Sequence, residues 1–476
     1  MHDATTAQNI DDTLLTALAE ALGRDRLRVG DDIPESHAAD AAGMTPCRPG
    51  LLLLPRSTQE VSQALALCHA HGARIVVQGG MTGLAGGAHP QEGEIALSLE
   101  RMRGIEEIDT LSGTLTAMAG TTLQEIQEAA QASGFFCGID LGARGSCTIG
   151  GNIATNAGGN QVLRYGMARR NVLGLEAVLA DGTVVTSLNK MLKNNAGYDW
   201  TQLFIGSEGT LGIVTRVVLG LHPAPRGVRS ALCAFSRFED VVTVLRRFDA
   251  ALPGRMIVFE AMWREYLDTA IGPGGLSPPF PESPEVTLLI EAAMGSEAGN
   301  AAGDDASDPF TETLAGFLEE GLIDDALIAQ SEADRARFWS YREAVYEFRR
   351  IIDAGTNFDV SIPIARLDEA VERLREGARG FGEETRLLVF GHVADSNIHI
   401  SVSHPRHDAQ MSREIQGMVY DIVAALAGSV SAEHGVGMLK RDYLHKSRSE
   451  AEIALMRRIK QALDPHNMLN PGRILA

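Results

Sequence analysis

The sequence lacks the features by which membrane-spanning, secreted and nucleic-acid-binding proteins are usually recognised. It has no run of about 18 apolar residues, the length that a bilayer-spanning helix needs, so we expect no membrane span. The first residues, Met-His-Asp-Ala, lack the basic and then apolar pattern of a secretory signal. Its 42 basic residues are outnumbered by 62 acidic ones. This balance argues against nucleic acid as a partner, because phosphate binding needs a cationic surface.

Cysteine is also scarce. None of the cysteines has the close spacing of a zinc or iron–sulfur site. An odd count of scattered thiols is typical of a reducing compartment, so we predict a cytoplasmic location and read every cysteine as a small buried apolar residue. The five are Cys47, Cys68, Cys137, Cys147 and Cys233.

Glycine, by contrast, is abundant, with 50 among 476 residues, and the glycines cluster instead of repeating. The apolar content of 45% is ordinary for a globular protein. A β–α–β alternation is predicted up to about residue 224, and the composition changes after Pro223-Ala-Pro225. The first predicted helix is preceded by Asp11-Asp12, carries Leu14, Leu15, Leu18 and Leu22, and is ended by Gly23. The other predicted elements of the first part are strands at Leu51–Leu54, Ile75–Val77 and near 95–99, 175–180 and 211–219, and a helix around Val61, Leu65 and Leu67. Those of the second part are loops at 272–284 and 297–309, strands at Val286–Glu291 and Leu387–Phe390, and helices near 311–350 and 365–378.

Four glycine-rich segments need a common explanation: 76–87, 140–159, 204–213 and 463–472. Glycine allows consecutive amides to turn toward one centre and form an anion-binding nest, which can hold a pyrophosphate without cationic side chains. The first segment is neither a Walker loop nor a nicotinamide fingerprint. Any one segment alone is equally compatible with a glycine-rich turn. Together, each following apolar strand-like sequence, they indicate a large nucleotide cofactor.

Histidines near the C-terminal third suggest a metal site. His392 and His399 flank a predicted tight turn at 395–397, so a hairpin would bring their imidazoles together. Glu433 and His434 follow in the segment 431–437. Two imidazoles and a carboxylate suit zinc or a similar divalent ion with an open position, and the adjacent histidine could then act as a base. The spacing alone also allows two satisfied histidines and an unrelated Glu-His pair.

Combined, these segments resemble a known family. The stretch 140–159, Arg164-Tyr165-Gly166, LFIGSEGTLGI at 203–213 and the GH, NIH and EHGVG series resemble the vanillyl-alcohol oxidase superfamily of flavoproteins from about residue 45 to the end. Within it, the chain is similar to the D-2-hydroxy-acid dehydrogenases, which include D-2-hydroxyglutarate and D-lactate dehydrogenases. The resemblance implies an α+β fold with a two-lobed FAD domain and a substrate (cap) domain. The predicted boundaries are a helical lead-in at 1–46, the FAD domain at 47–224, the cap domain at 225–429 and a C-terminal segment at 430–476 that completes the active site.

The resemblance also implies roles for individual residues. It implies non-covalent FAD, with 78–84 around the pyrophosphate and Asn470 near the flavin ring. The implied FAD contacts are Gln78, Gly79, Gly80, Met81, Thr82, Gly83, Leu84, Gly142, Ser146, Cys147, Gly150, Asn152, Thr155, Gly158, Gly206, Glu208, Gly209, Ile213 and Asn470. The implied metal ligands are His392, His399 and Glu433, for zinc or for manganese or a similar ion, and the implied base is His434.

Substrate contacts follow from the same resemblance. Arg342 matches the family arginine that holds the substrate carboxylate; the alternative is an exposed helix arginine paired with Glu343 or Glu347. Asn397 matches a substrate contact or a residue that supports one. Hydroxyglutarate-type enzymes carry threonine, lysine and asparagine where this chain has Tyr346, Asn357 and Ser401, so we predict a monocarboxylate such as D-lactate. D-2-hydroxyglutarate is the alternative, with Arg349 or Arg350 replacing the lysine.

The sequence leaves the partners of this chemistry open. The electron acceptor would be an electron-transfer flavoprotein, a quinone or a cytochrome, and a homodimer is one assembly considered. Two other functions stay open: a flavin-binding subunit without chemistry of its own, as in multi-subunit glycolate oxidases, and an oxidase that uses oxygen directly.

Overall fold

The computed structural model describes residues 11–295, 308–348 and 350–476, and these form two compact units. The first unit consists of the described residues up to 159, then 165–224 and 433–476, and the second consists of 160–164 and the described residues between 225 and 432. Helices and strands are mixed throughout, so the predicted α+β class is confirmed. Within these described ranges, no helix is long and apolar enough to cross a bilayer.

The first unit begins with a small sheet and two helices. These elements are α1 (Asp12–Leu22), β1 (Leu27–Val29), β2 (Leu51–Leu53), α2 (Thr58–Ala70), β3 (Arg74–Gln78) and β4 (Glu94–Ser98). The sheet order is β1-β2-β4-β3, in which β2, β4 and β3 run parallel and β1 pairs antiparallel with β2. The predicted β–α–β pattern is therefore confirmed over β2, α2 and β3.

Helix α1 begins and ends where the sequence predicts. The Asp11 carboxylate accepts a hydrogen bond from the Thr13 amide at 3.0 Å, which caps the first turn. Leu14, Leu18 and Leu22 are buried on one face, and Gly23, at φ 88°, ends the helix. The lead-in predicted at 1–46 also contains a strand that was not predicted, because β1 pairs with β2 at the edge of the sheet.

A second, antiparallel sheet completes this part of the first unit. Its strands are β5 (Ile105–Asp109), β6 (Thr114–Met118), β8 (Val172–Val178), β9 (Val184–Ser187) and β10 (Ile213–Gly220). A separate two-stranded pair consists of β7 (Phe135–Phe136) and β11 (His222–Pro223). The helices of this region are α3 (Leu123–Ala132), α4 (Ile149–Ala154), α6 (Ala168–Asn171) and α7 (Thr201–Phe204), while most of α5 (Val162–Tyr165) lies in the stretch 160–164 of the second unit. The order β5-β6-β10-β8-β9 contains only antiparallel pairs. The predicted alternation up to residue 224 is thus wrong here. The Asp109 carboxylate accepts from the Leu111 and Ser112 amides, which makes a tight turn instead of a crossover helix.

The second unit is built on one seven-stranded antiparallel sheet. Its elements are β12 (Val228–Phe235), α8 (Phe238–Ala251), β13 (Met256–Trp263), α9 (Arg264–Ile271), β14 (Val286–Ala293), α10 (Pro309–Glu319), β15 (Asp325–Ile328), α11 (Glu332–Glu343), α12 (Val345–Phe348), β16 (Gly355–Ser361), α13 (Leu367–Arg379), β17 (Arg386–His392), β18 (Asn397–Ser403) and α14 (Ala409–Ala425). The strand order is β15-β12-β14-β13-β17-β18-β16. This order puts the ends of β13, β17, β18 and β16 side by side.

Several predictions for the second unit can be compared directly. The loop at 272–284 and the strands on β14 and β17 are confirmed. The helices predicted near 311–350 correspond to α10, α11 and α12, but β15, which was not predicted, lies among them and pairs with β12. Of the predicted loop at 297–309, residues 297–307 lie outside the described residues; Asp308 caps α10.

The chain then returns to the first unit and ends against its first sheet. Helix α15 (Glu450–Leu463) leads into the predicted turn-rich tail. The Ile75 amide donates to the Met468 carbonyl and the Asn470 amide donates to the Ile75 carbonyl, each at 2.8 Å. The tail therefore lies alongside β3. Four cysteines are buried as predicted, but Cys47 is only half-buried, because it lies in a loop before β2 and not in a core element.

Candidate active site

Two glycines directly after β3 pack against the backbone of 146–151. A Cβ atom on Gly79 would lie 2.6 Å from Thr148 Oγ1, and one on Gly80 would overlap the Ser146 carbonyl oxygen and lie 2.8 Å from the Cys147 Cα. Two of the predicted cofactor segments, 76–87 and 140–159, thus meet backbone to backbone. Only glycine allows this approach. The sequence predicted glycines turned toward a cofactor, whereas these two glycines pack against another segment of the chain.

The segment 140–159 carries polar groups that fit a bound cofactor. Thr148 Oγ1 and Asn152 Nδ2 are buried and have no hydrogen-bond partner within the described part of the chain. Gly159, at φ 110°, would collide with the Asp140 carbonyl if it carried a side chain. Buried polar atoms normally have partners, so these two atoms fit donors and acceptors supplied by a cofactor such as FAD.

Gln78 has a different role from a simple cofactor contact. Its Oε1 lies 2.8 Å from His37 Nδ1, and its Nε2 donates to the His37 carbonyl at 3.0 Å. The side chain therefore ties the loop before β2 to the end of β3. The other implied FAD residues of the first two segments lie in the same loops of the first unit: Met81, Thr82, Gly83, Leu84, Gly142, Gly150, Thr155 and Gly158.

Glu208 organises the third segment and the C-terminal loop of the first unit. It adopts φ 50° between Gly206 and Gly209, which also have positive φ. Its buried carboxylate accepts hydrogen bonds from the Val436 and Gly437 amides at 2.7 and 2.8 Å. Burial raises the pKa of Glu208, and these two backbone donors oppose the increase. The sequence predicted a cofactor contact here; the described contacts hold the loop that follows His434.

Asn470 links the tail to the first and third segments. Its Oδ1 accepts from the Val77 amide at 2.8 Å, and its Nδ2 donates to the Glu208 carbonyl at 2.6 Å. A side chain on Gly209 would lie 3.0 Å from Asn470 Nδ2, and Ile213 begins β10 just beyond. The implied FAD positions in the four segments are therefore held together by hydrogen bonds within one unit.

Glu433 and His434 open the last segment of the first unit. The chain passes from the second unit to the first between Ala432 and Glu433. Glu433 Oε1 accepts a hydrogen bond from the Gly159 amide at 2.7 Å, so its carboxylate lies at the end of the second glycine segment. The sequence predicted no link between this glutamate and the glycine segments.

In the second unit, the predicted hairpin is confirmed. β17 ends at His392, a turn follows with Ser396 at φ 73°, and β18 carries His399. The two strands pair antiparallel, and the imidazole centroids of His392 and His399 lie 5.4 Å apart. The turn therefore brings the two predicted metal ligands together.

The strand register gives this region one polar face. Glu260 on β13 lies opposite His392, and Asp359 on β16 lies opposite His399. Two residues further along the same two strands, Asn357 lies opposite Ser401. Because strand side chains alternate with a period of two, these pairs project on one side of the sheet. Glu260 was not predicted, because it lies in a mainly apolar strand far along the chain from the histidines. Asp359 was not predicted, because β16 lies outside the histidine motifs.

Glu260 contacts both an imidazole and a guanidinium. Its Oε1 contacts His392 Nδ1, and its Oε2 accepts from Arg342 Nε at 2.6 Å. Burial would raise the pKa of Glu260, but attraction to His392 and Arg342 outweighs burial and lowers this pKa from 4.5 to about 2. The carboxylate is therefore ionised at neutral pH. His399 Nδ1 in turn lies 3.9 Å from Asp359 Oδ1.

Arg342 is buried, which overturns the alternative of an exposed helix arginine. Its guanidinium lies 4.7 Å from the Phe390 ring centroid and bonds to Glu260 through Nε. No hydrogen bond from its two Nη atoms is found among the described residues. The pKa of Arg342 is raised: burial lowers it, and the charge of Glu260 more than compensates. The two Nη groups suit a planar carboxylate.

The other implied substrate residues differ in their surroundings. Asn397 is 3% exposed, and neither polar atom of its side chain has a partner within the described ranges. Tyr346 lies on α12 and is 66% exposed. Arg350 is exposed and donates to Glu347 at 2.6 Å, and Arg349 lies outside the described residues. Asn397 is therefore the residue whose unpartnered atoms most clearly point to a ligand.

The donor chemistry of the second unit fits a divalent cation. His392 and His399 supply two imidazoles, and a buried carboxylate engages Nδ1 of His392. Metal-binding histidines usually donate their second ring nitrogen to such a carboxylate, which leaves Nε2 to face the ion. The residues present are thus of the type that holds zinc or a similar ion.

Comparisons with known proteins agree with this description. Residues 49–187 match the FAD binding domain family, and residues 224–474 match the family described as FAD linked oxidases, C-terminal domain. A D-2-hydroxyglutarate dehydrogenase of Bos taurus is 40% identical over 429 residues, which cover 89% of this chain and 76% of the relative. A probable D-2-hydroxyglutarate dehydrogenase of Oryza sativa subsp. indica is 39% identical, covering 89% and 75%. One from Xanthomonas citri is 35% identical and covers 97% of both chains.

Solved structures share the fold at low sequence identity. p-Cresol methylhydroxylase is 16% identical with a TM-score of 0.77, covering 97% of this chain and 96% of that one. Alkyldihydroxyacetonephosphate synthase is 18% identical with a TM-score of 0.73, covering 99% and 86%. The fold is thus that of the vanillyl-alcohol oxidase flavoproteins, and the glycine segments 76–87 and 140–159 lie within the matched FAD binding domain. The chain belongs to the family of FAD-linked oxidases, and it is an FAD-dependent oxidoreductase.

Proposed function

We propose that this oxidoreductase converts a D-2-hydroxy acid to the 2-oxo acid, with non-covalent FAD, a divalent cation and His434 as the base. Bound FAD supplies a hydride acceptor at N5, and a bound cation lowers the pKa of a coordinated hydroxyl. The polar face of the second unit carries the proposal, because paired histidines and a buried arginine lie on it together. The names of the curated relatives support the same substrate class.

The side chains of the site would divide metal binding, substrate binding and proton removal among them. His392, His399 and Glu433 would hold the cation, zinc in preference to manganese, because imidazole and carboxylate together suit it. Arg342 would bind the substrate carboxylate through its Nη donors. Imidazole is the usual base near neutral pH, so His434 would take the hydroxyl proton while hydride leaves C2. Asn397 would donate to or accept from the substrate.

A monocarboxylate such as D-lactate, or a longer aliphatic relative, is the proposed substrate. Asn357 and Ser401 lie opposite each other and carry no charge, so they offer no cation for a second carboxylate. Arg350, the described candidate for a replacement cation, is bonded to Glu347. D-2-hydroxyglutarate is the second candidate, and the names of relatives at 35–40% identity favour it.

We also propose an electron acceptor and a cellular location. An electron-transfer flavoprotein, a quinone or a cytochrome would reoxidise the flavin, and a homodimer is a further expectation. A cytoplasmic location stays a prediction. The names of the rice and cattle relatives include the word mitochondrial, whereas that of the Xanthomonas relative does not.

Steady-state rates with an artificial electron acceptor test the proposal. We expect kcat/KM to be higher for D-lactate than for L-lactate and D-2-hydroxyglutarate. A higher value for D-2-hydroxyglutarate would select the second candidate. Yellow protein that turns over no 2-hydroxy acid would support a flavin-binding subunit without chemistry, and peroxide formation in air would indicate an oxidase.

A matched pair of substitutions on α11 tests the role of Arg342. Arg342→Lys should lower kcat/KM about 10- to 100-fold, because an ammonium lacks the planar fork that lets arginine bond Glu260 through Nε and present both Nη groups to a carboxylate. Arg335→Lys is the control, since Arg335 also bonds a buried glutamate, Glu291, through Nε and Nη2. Equal losses in the two variants would contradict the assignment.

A further inference from the structure

Glu260 divides its two carboxylate oxygens between residues of different function. Oε1 contacts Nδ1 of His392, the first residue of the proposed metal site, and Oε2 accepts from Nε of Arg342, the proposed anchor of the substrate carboxylate. Glu260 is 1% exposed. Glu260 lies outside the glycine segments and the histidine motifs.

The fold fixes both contacts from opposite directions. Register fixes the first, because Glu260 and His392 are directly opposed on β13 and β17. The second is fixed by helix α11, which carries Arg342 over the ring of Phe390, two residues before His392. If His392 or Arg342 moves, the Glu260 carboxylate moves with it, and the other residue must then change position as well.

The same sheet contains a second buried glutamate, Glu291, whose described side-chain contacts attach helix α11 to the sheet. Glu291 on β14 is fully buried and binds Arg335 Nε and Nη2 at 2.7 and 2.9 Å and Trp339 Nε1 at 2.9 Å. Arg335 precedes Arg342 by two helical turns on α11. Glu291 touches no histidine among its described contacts. The two glutamates are therefore a matched pair, one structural and one linked to the candidate site.

We propose that Glu260 is a positioning residue that fixes the Nδ1–H form of His392 and aims Arg342, so that metal binding and substrate-carboxylate binding depend on one side chain. This inference rests on the proposed function. A carboxylate accepts from both neighbours at once, and the imidazole then presents Nε2 to an ion. A glutamine has one accepting oxygen and one donating nitrogen. If its oxygen accepts from Arg342, its nitrogen donates to Nδ1 of His392, and the ring proton then lies on Nε2, where it blocks binding of an ion.

Metal affinity and substrate KM test this proposal in the FAD-loaded, chelator-treated protein. Zn²⁺ is titrated calorimetrically into wild type, Glu260→Gln and Glu291→Gln. We expect Glu260→Gln to weaken Zn²⁺ binding about 10- to 100-fold and to raise the KM for the hydroxy acid. Glu291→Gln should lower the melting temperature and leave Zn²⁺ affinity and KM unchanged. Arg342→Lys leaves all three proposed metal ligands unchanged. It should nevertheless weaken Zn²⁺ binding, because Glu260 loses the hydrogen bond from Nε of Arg342.

The outcomes separate this inference from the proposed function. Wild type that binds no Zn²⁺ would remove the proposed function and this inference together. If wild type binds Zn²⁺, but Glu260→Gln and Arg342→Lys both keep wild-type affinity, the coupling is overturned and the proposed function stands. If Glu260→Gln does not fold, the Arg342→Lys titration decides in the same way.

Discussion

Loss of the buried ion pair between Arg473 and Glu94 should destabilise the first unit strongly. The two side chains are 2% and 1% exposed. Arg473 bonds both carboxylate oxygens of Glu94, with Nη2–Oε2 at 2.8 Å, and also the carbonyls of His89 and Pro471. Arg473→Met would leave Glu94 buried with one described donor, the Gln91 amide.

The magnitude follows from the unpaired charge. Removing one partner of a buried pair costs about 3–5 kcal/mol, against a total stability of about 5–15 kcal/mol for a typical domain. The tail that contains Asn470 should loosen as well, since Arg473 follows it by three residues. We therefore expect easier loss of FAD in addition to the lower free energy of unfolding.

Urea unfolding, followed by protein and flavin fluorescence, measures both effects. Arg457→Met, an exposed position on α15, is the control and should change the free energy of unfolding by less than about 0.5 kcal/mol. Adding Glu94→Gln to Arg473→Met should recover part of the loss, because the remaining group is no longer an ion. A loss below about 1 kcal/mol in Arg473→Met would refute the reasoning, since exposed ion pairs contribute that much.

Two further predictions concern the cofactor and the substrate. Gly80→Ala would press a methyl group against the Ser146 carbonyl, so we expect destabilisation of about 1–3 kcal/mol and a lower flavin-to-protein absorbance ratio after gel filtration. Gly316→Ala, with nothing within 4 Å of its Cβ, is the control; equal flavin content in both variants would contradict the close approach. Asn357→Lys should attract a second carboxylate at this exposed position by about 1 kcal/mol, or about five-fold in the kcat/KM ratio of D-2-hydroxyglutarate to D-lactate. Asn357→Met should leave that ratio unchanged, and an equal change in both variants would show that charge is not the cause.

The sequence was informative where local signals decide the structure. The cap at Asp11, the glycine after α1 and the turn between His392 and His399 all act over a few residues, and the structure confirms them. The resemblance of the glycine segments located the FAD-binding part of the chain, and the family match agrees with it.

Long-range pairings explain what the sequence did not reveal. Glu260 contacts His392 across 132 positions, and Arg473 contacts Glu94 across 379. Nothing in the apolar strand that carries Glu260 marks its register with β17. The strand among the helices predicted near 311–350 was missed for the same reason, because pairing with β12 makes residues 325–328 a strand.

Anaerobic reduction of the bound flavin tests the central claim most directly. Purified enzyme is mixed with D- and L-lactate and with D- and L-2-hydroxyglutarate, before and after EDTA treatment and after Zn²⁺ or Mn²⁺ is restored. We expect the D acids to bleach the flavin absorbance, EDTA treatment to abolish this bleaching, and the metal ion to restore it. Bleaching by L acids with equal efficiency, or full reduction by D acids after complete metal removal, would contradict it.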